Sequence, residues 1–243
     1  MNTVEFLDHI YEQQCKVGDY VVLSSKKGPQ WRDHPLKYDT TFREKLVQFF
    51  QRYPAHEYDL YWSPMPYSKP NRQISNSIDT KFLAQDIDEH EDPSSIDPKP
   101  TYIWESSPNK YQGLWELDRY ITEKEYTPLN EALAKHGGFD DCWDFPHVYR
   151  IPGTHNHKYK NKPKVSDVTA SKRIWRPKEL TRMLNVQRAQ AEVPTQQSSN
   201  MAERRIYAKY AIPQKVKELL ALEDISSLDR SSTIWYIENT LIE

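Results

Sequence analysis

The segment FLAQDID, residues 82–88, most constrains the fold, because an apolar run leads directly into two carboxylates. The run from Phe82 to Ala84 predicts a buried strand, which would place Asp86 and Asp88 at the lip of a sheet. Side chains two residues apart on a strand point to the same side. Adjacent carboxylates disfavour each other's ionisation, so this pair predicts a bound cation, and oxygen ligands suit Mg²⁺ or Mn²⁺.

A solvent-exposed strand end would also explain a D-x-D sequence, since the motif is short. The acids that follow favour a metal, because Glu89, Glu91 and Asp92 come within four residues of Asp88. Two divalent ions can clamp the attacking and leaving oxygens in phosphoryl transfer, and a third acid usually completes such a site. The candidates for that third acid are Asp140, Asp141 and Asp144.

Composition excludes several other classes of protein. The net charge of −2 over 243 residues offers no global field for nucleic acid, so any basic surface must be local. Two cysteines cannot form a disulfide framework or a four-cysteine zinc site, and we expect a cytoplasmic protein. No apolar run is long enough for a signal peptide or a membrane span. The six glycines form neither a P-loop nor a Rossmann motif, so side chains and metal ions would hold any nucleotide phosphates.

Hydrophobic periodicity predicts helices interleaved with strands and a hairpin, which indicates an α+β core with a mixed or antiparallel sheet. The predicted helices contain Leu7–Tyr11, cover 40–53 with a Thr41–Glu44 capping box, contain Leu129 and Leu133 before a stop at Gly137-Gly138, and cover 177–184. The predicted strands are 19–26, 58–63, 81–88 and 147–153, with a hairpin of 101–107 and 111–117 turning at Pro108-Asn109.

The composition changes near the C-terminus. Residues 187–200, QRAQAEVPTQQSSN, have the composition of a linker, and residues 201–243 have helical patterns. The last pattern reaches Glu243 without a C-cap, so we expect a truncated helical module. The expected organisation is a catalytic domain at 1–186, a linker at 187–200 and the start of the helical module at 201–243.

The stretch RIPGTHNHK, residues 150–158, has the groups needed to hold a triphosphate without a P-loop. It places Arg150, Thr154, Asn156 and Lys158 around a Pro-Gly turn, and arginine supplies a planar fork while lysine supplies a point charge. A surface turn with ordinary basic residues is the alternative. The H-N-H tripeptide inside it does not match a nuclease, whose His and Asn residues are dispersed.

From Lys158 to Arg182 inclusive there are nine Lys or Arg residues against two acids, with Tyr159 and Trp175 among them. Basic residues interleaved with aromatics suit a groove that follows a single-stranded backbone and stacks its bases. A solvated loop is the alternative, but the contrast with the acidic 86–92 region favours binding of a template strand. The expected DNA-binding residues are Lys160, Lys162, Lys164, Lys172, Arg173, Trp175 and Arg176.

Together these stretches resemble the archaeo-eukaryotic primase (AEP) superfamily, in its plasmid- and phage-borne branch with RepB-like primase domains. FLAQDID resembles the first motif, YIWESSPNKYQGLWELD the second, and DFPHVYRIPGTHNHK the third. The most specific piece is R-[IL]-P-G-T-x-N-x-K with an acid six residues before it. The resemblance covers residues 82–158 and implies an AEP, RRM-like catalytic core.

The resemblance also implies roles for individual residues. Asp144 is selected as the third acid, so that Asp86, Asp88 and Asp144 would hold a two-metal site with Mg²⁺ or Mn²⁺. The phosphates of the incoming nucleotide would be contacted by Ser107, Lys110, Arg150 and Lys158. The sequence departs from many members at Gln112, where they have a histidine that contacts the triphosphate. Gln112 is still expected to contact the nucleotide, since glutamine can donate an N–H, although it carries no charge.

The implied function is metal-dependent, templated nucleotidyl transfer from (d)NTPs on single-stranded DNA, in the replication of a plasmid, phage or other mobile element. Its partners would be single-stranded DNA, nucleoside triphosphates and a downstream helicase, in a bacterial or archaeal cytoplasm and without a membrane. Two alternatives stay open on the sequence: a metal-dependent nuclease or nickase, and a non-catalytic DNA-binding replication initiator.

Overall fold

The computed structural model describes residues 2–88, 92–140 and 144–186, which form four α-helices and nine strands. The helices are α1 (Thr3–Glu12), α2 (Phe42–Arg52), α3 (Glu123–Gly137) and α4 (Pro177–Met183). The strands are β1 (Tyr20–Lys27), β2 (Gln30–Lys37), β3 (Asp59–Trp62), β4 (Thr80–Ile87), β5 (Tyr102–Ser107), β6 (Lys110–Ile121), β7 (Tyr149–Arg150), β8 (Thr169–Ala170) and β9 (Ile174–Trp175). They build two mainly antiparallel sheets, which confirms the predicted α+β class.

The first sheet has the strand order β2-β1-β3-β7, and all its pairs are antiparallel. Periodicity does not predict β2, because its sequence QWRDHPLK is mostly exposed and contains Pro35. Proline cannot donate to a strand ladder and is confined to edges such as this one. Pairing with β1 along all eight residues forms β2 despite its weak local preference for a strand.

The second sheet has the order β4-β6-β5-β8, and β9 adds a parallel pair to β6. The predicted hairpin is confirmed, with β5 and β6 joined at Pro108-Asn109. Asn109 has a φ of 61°, a left-handed conformation that asparagine tolerates better than most residues. On the other side of β6, the register of β4 sets Asp86 opposite Gln112. The acid pair is therefore placed beside the turn of the hairpin.

Aromatic side chains from α1 and from both sheets meet in the core. The Phe6 ring lies 5.5 Å from Trp62 of the first sheet and 5.9 Å from Trp104 of the second, measured between centroids. The two tryptophan rings lie 6.1 Å apart, and all three side chains are buried. Edge-to-face pairs of this kind add to the stabilisation from burial alone. The cluster couples the two sheets through α1.

Most predicted elements are confirmed, with differences at their ends. Helix α3 stops at Gly138, which has a left-handed φ of 65°, as the Gly-Gly signal predicts. The prediction of a capping box for α2 is wrong, because the Thr41 side chain makes no capping hydrogen bond. Asp39 instead accepts hydrogen bonds from the Thr41 N–H (3.0 Å) and hydroxyl (2.7 Å). The predicted strand 147–153 shortens to β7, since a turn follows Arg150.

The chain divides into two compact units, Met1–Gln187 and Arg188–Glu243. The predicted linker and helical module, residues 187–243, lie outside the described residues. Within the described ranges, no helix has both the length and the apolar character required to cross a bilayer.

Two neighbouring residues of α2 give a direct test of the core. Leu46 is fully buried, whereas Val47 is 41% exposed. Leu46→Ala should lower the free energy of unfolding by about 2–5 kcal/mol, because it removes buried methyl groups and leaves a cavity. Val47→Ala should change it by less than about 0.5 kcal/mol. Urea unfolding followed by circular dichroism measures both, and equal losses in the two variants would contradict this packing.

Candidate active site

The two aspartates stand at the end of β4 on one side of the second sheet, as predicted, while Gln85 before them and Ile87 between them are fully buried. Burial raises the pKa of the Asp86 carboxyl to about 6, and the nearby charge of Asp88 contributes in the same direction. Asp86 is thus held where its anionic form is disfavoured. A cation beside it would relieve that strain.

Lys110 supplies one positive charge at this point. Its ammonium forms an ion pair with the Asp88 carboxylate, and this hydrogen bond raises the pKa of Lys110. The contact follows from topology, because Lys110 begins β6 directly after the hairpin turn while Asp88 follows the end of β4. The lysine predicted to contact phosphate therefore lies within reach of the acid pair.

Gln112 joins the acid pair to the first sheet through its side-chain amide. Its Oε1 accepts hydrogen bonds from the Arg150 backbone N–H (2.9 Å) and from the Trp104 indole N–H (3.0 Å). With the oxygen engaged in this way, Nε2 faces Asp86 Oδ1 at 3.4 Å. Gln112 is only 4% exposed. The structure thus engages the amide with protein groups, rather than leaving it open for the triphosphate contact predicted for this position.

Asp144 is linked to the pair through His147, a residue that sequence analysis does not single out. Asp144 Oδ1 lies 3.3 Å from His147 Nδ1, and the charge of His147 in turn lowers the pKa of Asp86. Asp140, a rejected candidate for the third acid, donates its backbone N–H to the Asp86 carbonyl at 3.3 Å. Over residues 2–88, 92–140 and 144–186, no three His, Cys, Asp or Glu side chains converge closely enough to hold a metal.

Arg150 is anchored by Asp59, at the start of β3. The Arg150 Nη1 lies 2.5 Å from Asp59 Oδ1, and both side chains are about nine-tenths buried. The same carboxylate oxygen accepts the backbone N–H of His157 at 2.8 Å, so Asp59 also ties down the turn that follows Arg150. The guanidinium lies 4.8 Å from the Tyr61 ring centroid, within the range of a cation–π contact.

The Pro-Gly turn is held together by two of the residues predicted to bind nucleotide. The Thr154 hydroxyl donates to the Ile151 carbonyl (2.6 Å), and Asn156 Nδ2 donates to the Ser106 carbonyl (3.1 Å). Asn156 Oδ1 also accepts the Lys158 N–H at 3.1 Å. Thr154 and Asn156 are 2% and 3% exposed, so their polar groups build the turn rather than face a ligand. Their predicted contact with nucleotide is therefore not supported.

The two remaining nucleotide-binding predictions have different surroundings. The Lys158 side chain is exposed and emerges directly from this turn. Ser107 is 4% exposed and pairs with Lys110 in the hairpin. Lys158 is therefore accessible to a phosphate, while Ser107 lies mostly inside the hairpin end.

The basic stretch runs along β5, away from the acid pair. The early part of the stretch lies beside the end of β5 that is near the candidate active site, where the Ser166 N–H donates to the Glu105 carbonyl (2.9 Å). Its later part lies at the other end, where the Ser171 N–H donates to Thr101 (2.8 Å). Three of its cations have acidic partners: Lys164 with Asp167, Arg173 with Glu179, and Arg176 with Asp118. The side chains of Lys160, Lys162 and Lys172 are exposed.

The predicted role of Trp175 in base stacking is wrong. The residue is 5% exposed, and its indole N–H donates to the Lys99 carbonyl at 3.0 Å. The Arg173 guanidinium lies 4.4 Å from the indole centroid. A buried ring covered in this way cannot receive a base, and the pairing of β9 with β6 is the reason for its burial.

Sequence reasoning missed three residues that organise the site: Asp59, Trp104 and His147. His147 had a weak signal, because it stands three residues after Asp144. Asp59 and Trp104 had none, since they meet Arg150 across 91 and 46 residues of chain. Contacts of that separation depend on tertiary structure alone.

A comparison with known protein families identifies the family of the chain. The RepB DNA-primase N-terminal domain family matches residues 65–191, which is more than half of the chain and contains all three motifs. The chain belongs to this family. No curated protein sequence matches this primase domain.

Solved structures share the fold of this primase domain at low sequence identity. The AEP domain of the cyanophage S-2L primase-polymerase is 11% identical, with a TM-score of 0.58 over 75% of this chain and 98% of that one. Primase RepB′ is 14% identical, with a TM-score of 0.58 over 99% and 93%. Its catalytic domain in complex with initiator DNA is 15% identical, with a TM-score of 0.55 over 76% and 94%. The fold of the primase domain is therefore that of AEP enzymes.

The raised pKa of Asp86 predicts a pH-dependent stability in metal-free buffer. The folded state holds the Asp86 proton more tightly than the unfolded chain, so native stability falls as the pH rises from about 4 to about 6. Asp86→Asn cannot ionise, so its unfolding free energy should exceed that of the native protein by about 2–3 kcal/mol at pH 7.5. The excess should vanish near pH 4. Urea unfolding in EDTA measures it.

Asp79→Asn is the matched control, because Asp79 is an exposed acid just before the other end of β4. It should follow the native protein at every pH. An Asp86→Asn variant without added stability at pH 7.5 would show that the carboxyl is not strained.

The amide of Gln112 predicts a second effect on stability. Gln112→Leu leaves the buried Arg150 N–H without its acceptor, which should cost about 1–3 kcal/mol in unfolding free energy. Gln30→Leu is the comparison, since Gln30 is an exposed strand residue and should change the value by less than about 0.5 kcal/mol. Thermal and urea unfolding measure both, and a Gln112→Leu variant as stable as the native domain would contradict the linking role.

Proposed function

We propose that this domain is a primase-polymerase that transfers nucleotides from (d)NTPs to a growing strand, with single-stranded DNA as template. Membership of the RepB primase family supports priming activity, and the geometry of the site supports the chemistry. The observation that carries the proposal is the convergence of Asp86 and Asp88 with Lys110 at one end of the second sheet, beside the turn that presents Lys158.

The acid pair fits a hard divalent cation, Mg²⁺ or Mn²⁺. Both donors are carboxylates on one side of a rigid strand, and Asp86 is a disfavoured anion that a cation would stabilise. Asp86 and Asp88 would hold the ion, with Asp144 as the proposed third ligand through adjustment of its contact with His147. When bound, the ion would neutralise triphosphate charge and lower the pKa of a primer 3′-hydroxyl.

The cationic side chains would bind and orient the triphosphate. Lys110 forms an ion pair with Asp88. An incoming phosphate would bind the Lys110 ammonium in place of Asp88, while a metal ion would balance the charge of the Asp88 carboxylate. Lys158 projects from the turn that Thr154 and Asn156 close. Arg150 is held by Asp59 and is suited to a fixed electrostatic role rather than a mobile one.

The exposed lysines of the basic stretch would hold the template. Lys160 and Lys162 belong to its early part, nearest the turn, while Lys172 lies on its later part along β5. A strand bound along this line would leave the site in the direction of β8. The single-stranded template, the (d)NTP and a downstream helicase remain the proposed partners.

Asp86→Asn tests the proposal, because the substitution keeps the shape of the side chain and is expected to stabilise the fold. Primer extension on single-stranded DNA with Mg²⁺ or Mn²⁺ should fall by at least about 100-fold, since even partners of metal ligands contribute 10–100-fold. Asp79→Asn should retain native activity. Gel analysis with labelled nucleotide, with and without a primer, measures both.

Extension by Asp86→Asn at a native rate would contradict the assignment. Cleavage of DNA by the native protein without nucleoside triphosphates would support the nuclease alternative. Binding of DNA without any nucleotide-dependent metal binding in calorimetry would support the non-catalytic initiator.

A further inference from the structure

Trp31 is a large aromatic residue that the proposed chemistry does not use. It lies on the edge strand β2 and is 42% exposed, while Trp62, Trp104, Trp115 and Trp175 are buried. A single exposed apolar residue needs no explanation by itself. Trp31 differs because its orientation is set by polar contacts.

Asp33 fixes the Trp31 ring from one side. Its Oδ1 accepts hydrogen bonds from the Trp31 indole N–H (2.8 Å) and from the Ser24 hydroxyl (2.7 Å). Burial raises the pKa of Asp33, but these hydrogen bonds and Arg72 outweigh it and hold the pKa below its ordinary value. The acceptor is therefore a stable anion, and the indole is held in one orientation.

Tyr61 supports the Trp31 ring from beneath. The two ring centroids lie 4.8 Å apart with an interplanar angle of 38°. The Arg150 guanidinium also lies beside Tyr61, at 4.8 Å from its ring centroid. Trp31, Tyr61 and Arg150 thus form a ladder of planar groups across β2, β3 and β7, with Trp31 at its exposed end.

This ladder stands on the same side of the first sheet as the segment that carries Asp144. Arg72 bridges the two, because its Nε lies 3.0 Å from Asp33 Oδ2 and its Nη1 donates to the Pro146 carbonyl at 2.7 Å. Asp144 and His147 flank that carbonyl in sequence, and His147 acts on Asp86. Trp31 therefore lies on a wall next to the candidate active site.

The surroundings of Trp31 favour an anionic partner. Two acids lie on this face of the first sheet, Asp33 and Asp59, and each is paired with an arginine. Lys26 of β1 is the direct pairing partner of Trp31 of β2.

We propose that Trp31 is a stacking platform for an unpaired base of single-stranded DNA next to the active site. The proposal rests on the proposed function in so far as that strand is the template. Flat aromatic faces with nearby cations bind single strands without sequence preference, because every base has a π face and every nucleotide a phosphate. The stacking role predicted for Trp175 is thus assigned to the exposed end of the ladder instead.

Trp31→Ala should weaken binding of a labelled single-stranded oligonucleotide by about 5- to 150-fold, as expected for the loss of one stacked base. Trp31→Phe, which keeps a ring, should stay close to native affinity. Tyr120→Ala is the matched control, because Tyr120 is a 39% exposed aromatic on the far end of β6, and it should bind as the native protein does. Fluorescence anisotropy measures affinity, and urea unfolding confirms that each variant is folded.

Oligonucleotides with one abasic site, moved along the strand, identify the stacked base. One position should weaken binding by the native domain but have no further effect on Trp31→Ala, because both changes remove the same contact. Native affinity in Trp31→Ala, or additive losses at every abasic position, would overturn the proposal and would favour another partner for this wall.

The outcome is independent of catalysis, because binding is measured without nucleotides. Asp86→Asn should retain the full abasic-site pattern while it loses extension. Native affinity of Trp31→Ala and no Trp31-dependent abasic-site pattern, together with normal primer extension by the native protein, would refute the platform and leave the proposed function standing. A native protein that shows the pattern but extends no primer would refute the proposed function alone.

Discussion

The side-chain amide of Gln112 is the interaction on which the arrangement of the site depends. Together with the Trp104 indole N–H, which donates to the Arg150 carbonyl, it bonds the second sheet, which carries the acid pair, directly to β7 of the first sheet. A neutral amide suits this position because it accepts on one side and donates on the other. Gln112 therefore orients Asp86 and joins the two sheets, while Lys110 supplies a positive charge beside Asp88.

The fold holds the two carboxylates of the acid pair where ionisation of Asp86 is unfavourable. Desolvation and the proximity of Asp88 disfavour the Asp86 anion, and the charge of His147 and the contact from Gln112 offset this in part. Lys110 pairs with Asp88 rather than with Asp86. A rigid strand prevents the carboxylates from separating. The site is therefore organised before a ligand arrives, which is the condition under which electrostatic catalysis is most effective.

The motif R-I-P-G-T-x-N-x-K illustrates how one sequence pattern can combine two kinds of residue. Arg150 and Lys158 carry charge, while Thr154 and Asn156 close the turn that positions them. Residue type does not separate these groups, because threonine and asparagine can serve equally well as phosphate ligands or as turn residues. Burial separates the exposed Lys158 from the buried Thr154 and Asn156, and the ion pair with Asp59 fixes the largely buried Arg150; both are properties of the folded chain. The same reasoning applies to the two tryptophans: Trp175 is covered when β9 pairs with β6, and Trp31 is left on an edge strand.

The sequence by itself determined the local elements and the acid pair. The apolar run of β4, the Pro108-Asn109 turn and the Gly137-Gly138 stop depend on residues that are neighbours in the chain, so they could be predicted. Tertiary structure alone decided that Asp59 anchors Arg150, that His147 links Asp144 to Asp86, and that Trp31 rather than Trp175 is exposed. Those outcomes depend on strand pairings and contacts between residues far apart in the chain, and the energy of such contacts exists only after the sheets have packed.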